Sequence, residues 1–181
     1  MKKFIYIIIS IVFFVAIGNS IYDQMNKKSA KSVRLECHKN STVFEKVLKP
    51  KLVTQLQDGI KNGAISLEIE IEKAKYMDSK LFEYVDPQVV KKDFINLIKN
   101  VKNNEKNVQV NILIYENDKN DPGKKTAKSK LYAGYLVFTY KVQNKLVYKQ
   151  QIDFLDHEGK DIPKVLDCGL ISVLTLSNKE S

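Results

Sequence analysis

Arginine is almost missing from this chain: Arg34 is the only one, although lysine is abundant and the formal net charge is +9. Bidentate grip on phosphates or base edges favours arginine, whereas lysine gives solubility and a loose pull toward anionic surfaces. Nucleic acid is therefore not an expected partner. Histidine is as scarce, with His38 and His157 alone, and cysteine occurs only as Cys37 and Cys168. Cys37-His38 supplies two metal-ligating residue types, but no second ligand pair follows at usable spacing. No serine stands in a Gly-x-Ser-x-Gly setting, and no glycine-rich loop is present to cradle phosphates. Glu116, Asp118, Asn120 and Asp121 resemble the first half of a calcium loop. The pattern fails where glycine should stand, at Asp121, and where glutamate should close it, at Ala127. These absences predict a protein with no cofactor and no catalytic role.

What the chain does have is a hydrophobic start. Met1-Lys2-Lys3 precedes an uncharged run from Phe4 to Ile17. Two cations before such a run read as an export signal. The run is short for a spanning helix, which needs about 20 residues. Small residues follow it, so Gly18 and Ser20 are candidate cleavage points. Two fates stay open: cleavage, giving a periplasmic or secreted protein, or retention of residues 4–22 as an anchor with the domain outside. In an exported chain one cysteine pair most simply forms one disulfide, here Cys37 with Cys168.

The domain plan is residues 1–18 as signal peptide or anchor, 19–36 as a polar basic linker, and 37–181 as a single exported domain. Removal of the start leaves about 160 residues, enough for one ordinary core. Thr42-Val43-Phe44-Glu45 has the form of a capping box, and Phe44, Leu48, Leu52, Leu56 and Ile60 follow at a spacing of four. That predicts a helix kinked at Pro50, or two short ones, stopped at Gly63. Ile65, Leu67, Ile69 and Ile71 alternate with Ser66, Glu68, Glu70 and Glu72, which predicts a strand with an acidic, solvated face. Asp86-Pro87 opens an amphipathic helix with Val90, Phe94, Leu97, Ile98 and Val101 on one side. Val108–Glu116 reads as a strand, and 117–130 as a loop. Residues 131–142 read as a central strand covered at least partly on both faces, with 146–155 its hairpin partner across Gln143-Asn144. The segment from Asp161 to Leu176 has both helical and strand features, with the helix preferred.

This order predicts an α+β fold: an antiparallel sheet of about four strands against amphipathic helices. At that level it resembles cystatin-like and nuclear-transport-factor-like folds, and the periplasmic domains of bitopic subunits in type IV secretion machines. The likeness is one of element order and implies no activity. The function expected is that of a bacterial envelope protein binding another envelope protein or assembling into a complex. Its candidate surfaces are the acidic face of Glu68, Glu70 and Glu72 and the basic loop with Lys119, Lys124, Lys125, Lys128 and Lys130. Two alternatives stand beside it: a ligand carrier or hydrolase-like enzyme with a pocket near His157, where Asp156 and Glu158 flank an imidazole, and a secreted inhibitor or immunity-type protein.

Overall fold

The computed structural model describes residues 31–98, 107–123 and 132–177. The segment 4–22 with Gly18 and Ser20 lies outside the described residues, as do Val101, Lys124, Lys125, Lys128 and Lys130. Along the chain come a 3-10 turn (Glu36–Lys39), β1 (Val43–Val47), a second 3-10 turn (Pro50–Leu52), α1 (Val53–Lys61) and β2 (Ile65–Glu72). Then follow one helical turn, α2 (Leu81–Tyr84), and α3 (Pro87–Leu97), β3 (Val108–Glu116), β4 (Gly134–Val142), β5 (Lys145–Phe154) and α4 (Ile162–Leu174).

The fold is α+β, but its sheet has five strands rather than about four, in the order β1-β5-β4-β3-β2. Nor is it wholly antiparallel. β1, β5, β4 and β3 pair antiparallel in turn, while β2 runs parallel to β3. The connections explain the difference. Gln143 and Asn144 both take positive φ, 50° and 63°, in the tight turn between β4 and β5, and such a turn suits the twist of a hairpin. Between β2 and β3 the chain passes through α2 and α3, and a crossover of that length returns it in its original direction.

The fifth strand corrects the expected helix from Thr42. Val43–Val47 is an edge strand, paired with β5 from Val43↔Ile152 to Val47↔Tyr148. Thr42 and Glu45 form no capping box: the Thr42 carbonyl accepts the Asp153 N–H at 3.0 Å, and the Glu45 carboxylate turns to Arg34. Val43 and Val47 are stiff in a helix and favoured in a strand. Pro50 cannot continue a helix from residue 44, but it opens the 3-10 turn that leads into α1. Gly63, at φ 67°, ends that helix as expected.

Most remaining elements agree with their patterns, but Leu97, expected on the apolar stripe of α3, is 37% exposed, β4 begins at Gly134 rather than 131, and α2 was not expected. Asp86 caps α3 by accepting the Gln88 N–H at 2.7 Å, and Pro87 stands in its first turn. The last segment is a helix to Leu174. Val110, Ile112, Ile114, Leu136, Phe138 and Tyr140 are at most 2% exposed and form the covered face of the sheet. α1 meets this face where Gly59 abuts Val108. α3 meets it through Phe94, whose ring centroid lies 6.2 Å from that of Phe138. α4 meets it at Gly169, where a Cβ would stand 2.5 Å from the Phe138 ring. That missing Cβ lets the helix backbone approach the sheet. The Gly169 carbonyl accepts from Gln150 Nε2 at 2.6 Å and from the Tyr140 hydroxyl at 3.3 Å. The other sheet face is only half-covered: Leu113, Tyr115, Tyr135 and Val137 are partly exposed, and Tyr115 stacks on Tyr135 at 4.3 Å.

Candidate functional site

Polar side chains collect at three places: under the segment before the first strand, at the end of β3, and along β2.

The first is a latch. Cys37 and Cys168 form a disulfide across 131 residues, tying the first 3-10 turn to α4. Of the stretch 19–36 expected as a linker, residues 31–36 are bound to the domain. Lys31 forms an antiparallel bridge with Phe44, and the Ser32 N–H donates to the Val43 carbonyl at 2.7 Å. Arg34 sends a fork to Glu45, with Nε 3.1 Å and Nη2 2.9 Å from the two carboxylate oxygens. Its other donors reach Thr175 Oγ1 at 2.7 Å and the Ser172 carbonyl at 2.8 Å, at the end of α4. Carbonyls at a helix C-terminus lack intrahelical partners and carry partial negative charge, so a cation suits them. Burial pushes the Glu45 carboxyl up, but the fork of Arg34 and the hydroxyls of Ser32 and Tyr148 prevail and hold it at about 2.

His38 lies wholly buried inside this latch. Its Nδ1 is 3.0 Å from Ser32 Oγ, and its Nε2 is 2.8 Å from Ser172 Oγ. Ser32 in turn donates to Glu45 at 2.6 Å. A serine, an imidazole and an orienting acid in series are the parts of an activated nucleophile. Here Ser172 is fully buried, and its hydroxyl also donates to the Cys168 carbonyl at 2.7 Å. Neither residue lines either of the clefts described below. The chain of bonds holds elements together. Burial lowers the His38 imidazole from its ordinary value, favouring the neutral form, whose single ring N–H donates to only one of the two serine oxygens. One His38 ring nitrogen and the two cysteine sulfurs lie within 4.8 Å of one another. Bonded to each other, those sulfurs are not the thiolates a zinc site uses.

The second place is the end of β3, where Glu116, Asn117 and Asp118 are each at most 3% exposed. The sequence had suggested a solvated loop here, and the side chains are instead turned inward. Glu116 accepts the backbone N–H groups of Lys80 at 2.8 Å, Leu81 at 2.9 Å and Ala74 at 3.1 Å. Asp118 accepts those of Lys75 at 2.7 Å and of Tyr76 and Asn120. Asn117 donates to the Tyr132 carbonyl at 2.7 Å. Burial raises the Glu116 carboxyl, yet the amides of Leu81, Ala74 and Lys80 and the Ser79 side chain outweigh it and hold the group below its usual range. These acids act as staples that shape residues 73–81, and the lone pairs a calcium ion would need are committed to amides.

Above the staples opens a cleft of about 740 Å³, with Lys75, Lys80, Lys119 and His157 in its wall. His157 is exposed, and its Nε2 stands 3.0 Å from Lys119 Nζ. Asp156, the acid beside it, accepts the Glu158 N–H at 2.8 Å within its own turn. The expected acid–imidazole pair is thus not assembled, and the nearest charged partner of His157 is a cation.

The third place is β2. Glu68 and Glu70 are exposed and Glu72 half-exposed. Ser66, Glu68, Glu70 and Glu72 stand across from Gln109, Asn111, Leu113 and Tyr115 on the half-covered face. Asn111 donates to Glu70, and Lys75 lies 3.5 Å from Glu72. A smaller hollow of about 570 Å³ runs over this part of the sheet between Glu68 and Lys141.

Sequence reasoning brought Cys37 to Cys168 and grouped the three glutamates on one face. It missed the latch of Ser32, Arg34, His38 and Glu45 and the staples of Glu116 and Asp118. One signal was present in phase. Glu116 continues the alternation of Val108, Val110, Ile112 and Ile114, and a polar residue at a core position is bonded rather than solvated. No helix among the described residues is long and apolar enough to cross a membrane. No protein-family model, curated protein or solved structure matches this chain.

Proposed function

We propose that this chain is an exported, non-enzymatic envelope protein whose domain binds another protein. The observation that carries the reading is the one-sided sheet: α1, α3 and α4 cover one face, while the other keeps Leu113, Tyr115, Tyr135 and Val137 partly open beside a row of glutamates. Aromatic residues are enriched at protein interfaces, and polar residues lie at their rims. The disulfide supports export, because such bonds persist in oxidising compartments. The commitment of buried acids to backbone amides supports a non-enzymatic role.

The test is photo-crosslinking in cells. A photoreactive side chain at Val137 or Glu68 should trap one defined partner in the envelope fraction, and the same group at exposed Lys61 should not. Identical patterns from all three positions would refute the reading. A carrier of small ligands is the second reading, favoured by the cleft at Lys119 and His157. It requires a bound small molecule in the native mass spectrum that His157→Ala removes.

A further inference from the structure

The two edges of the sheet differ. The outer edge of β1 is closed by the chain itself, through the bridge of Lys31 to Phe44, the bond from Ser32 to Val43 and the fork from Arg34 to Glu45. β2, at the opposite edge, pairs with β3 on one side, and among the described residues nothing pairs with its other side. An edge strand offers a row of unbonded N–H and C=O groups, a template for one more strand. β2 is eight residues long and carries no proline. Ile71 is 43% exposed, so an incoming strand would also gain apolar contact beside it.

Charge selects the occupant. Glu68, Glu70 and Glu72 fall on one face at alternate positions, and Glu68 has no ionic or hydrogen-bonding partner among the described residues. Residues of a neighbouring strand on that face would stand across from them, where opposite charges attract and like charges repel. A second copy paired edge to edge would set glutamate rows side by side, which disfavours self-association. We infer that the free edge of β2 docks an extended segment of a partner protein that carries lysine or arginine at alternate positions, adding a sixth strand to the sheet. The inference rests on the binding-module reading and names its partner's chemistry. Main-chain bonds supply affinity in such a mode, and the alternating side chains supply specificity.

The probe is an acetylated, fluorescent octapeptide with lysine alternating with valine, titrated into the full chain as recovered from cells, in mild detergent where the N-terminal segment is retained. Controls are the same peptide with glutamate for lysine, and the lysine peptide methylated on alternate backbone amides. The lysine peptide should bind and slow amide exchange across Ile65–Glu72. Glu68→Lys should weaken it about threefold, and the pair Glu68→Lys with Glu70→Lys about tenfold. The glutamate peptide should not bind, and amide methylation should weaken binding at least tenfold. Circular dichroism of each variant confirms the fold; Glu68→Lys alone carries the test where the double variant is disturbed. Equal binding of the methylated peptide would overturn strand addition in favour of a diffuse charge effect. A stable dimer that excludes the peptide would assign the edge to a second copy instead. Failure of the peptide while Val137 still crosslinks a partner would overturn this inference and leave the binding-module reading standing.

Discussion

Arg34 should be the most sensitive surface residue of the domain, and replacement by lysine should reveal it. The guanidinium makes five bonds to two elements. Two go to Glu45 of β1, and three reach Ser172 and Thr175 at the end of α4. Lysine keeps the charge but loses the planar fork, and its three donors cannot span both targets. The cost follows from Glu45. Its fall from 4.5 to about 2 is worth about 3 kcal/mol at full weight, and Arg34 shares it with the Ser32 and Tyr148 hydroxyls, which stay in place. The Arg34 side chain is 31% exposed, so solvent screening removes roughly half of that. Loss of the carbonyl bonds adds about 1 kcal/mol. Arg34→Lys should therefore cost about 2 kcal/mol. Arg34→Met should cost about 3 kcal/mol, since it strands a mostly buried carboxylate. For a domain of this size the lysine variant should melt roughly 4–8 °C lower.

The same interaction fixes a pH window. A carboxyl held low in the folded state contributes stability that is fully present above its unfolded value, near 4.5, and is lost as pH falls through about 2. The gap between wild type and Arg34→Lys should be constant from pH 8 to 5 and should narrow as pH falls from 4.5 toward 2, to the roughly 1 kcal/mol that the carbonyl bonds supply. Glu116, also held low, affects both proteins alike and cancels in the difference. Urea unfolding followed by circular dichroism is the suitable assay, because the chain has no tryptophan. A lysine variant within about 0.5 kcal/mol of wild type at pH 7, the level of an ordinary surface substitution, would refute the reasoning. So would a gap that does not narrow in acid.

Three other outcomes follow from the same geometry. Reducing the disulfide, or replacing Cys37 and Cys168 by serine, opens a 131-residue loop and should cost up to about 5 kcal/mol in urea midpoints with and without a dithiol reductant. Glu116→Gln leaves one carboxylate oxygen's amide partners without an acceptor, so it should cost about 1–3 kcal/mol and speed amide exchange at Ala74, Lys80 and Leu81 above that of β4. Gly169→Ala favours the helix by roughly 1 kcal/mol, yet its Cβ would press on the Phe138 ring from 2.5 Å. The overpacking should win and destabilise the domain by about 1–3 kcal/mol, read as a lower melting temperature.

Patterns that repeat within one element were legible in the sequence. The alternation of 108–116 and 65–72 gave strands, and Asp86-Pro87 gave the start of α3 because cap and ring constraint act locally. β1 was not legible because its four-residue spacing continues smoothly into a true helix. Only pairing with β5, about 100 residues away, reveals Val43–Val47 as a strand. The parallel placement of β2 has the same origin: no local residue records on which side of β3 the chain returns. The latch was hidden for a further reason. Ser32, Arg34 and His38 are polar residues in a polar stretch, and their burial depends on acceptors from β1 and α4 that arrive from far along the chain.

The unequal edges bear on the reading of charge in this protein. Alternating glutamates on an exposed strand are a common guard against aggregation, and the row on β2 serves that end whatever else it does. Guarding alone, however, does not require one sign, and lysine is the commoner guard in general and the cheaper choice in a chain as lysine-rich as this one. At β1 the chain solved the same problem by covering the edge with its own residues and fastening them with a disulfide, a fork and a buried imidazole. At β2 the outer backbone edge is unpaired among the described residues, and three successive face positions carry acid rather than lysine. That choice repels other acidic edges, a second copy of its own included, and admits a basic strand, so the row is better understood as a filter on what may pair than as a barrier to pairing.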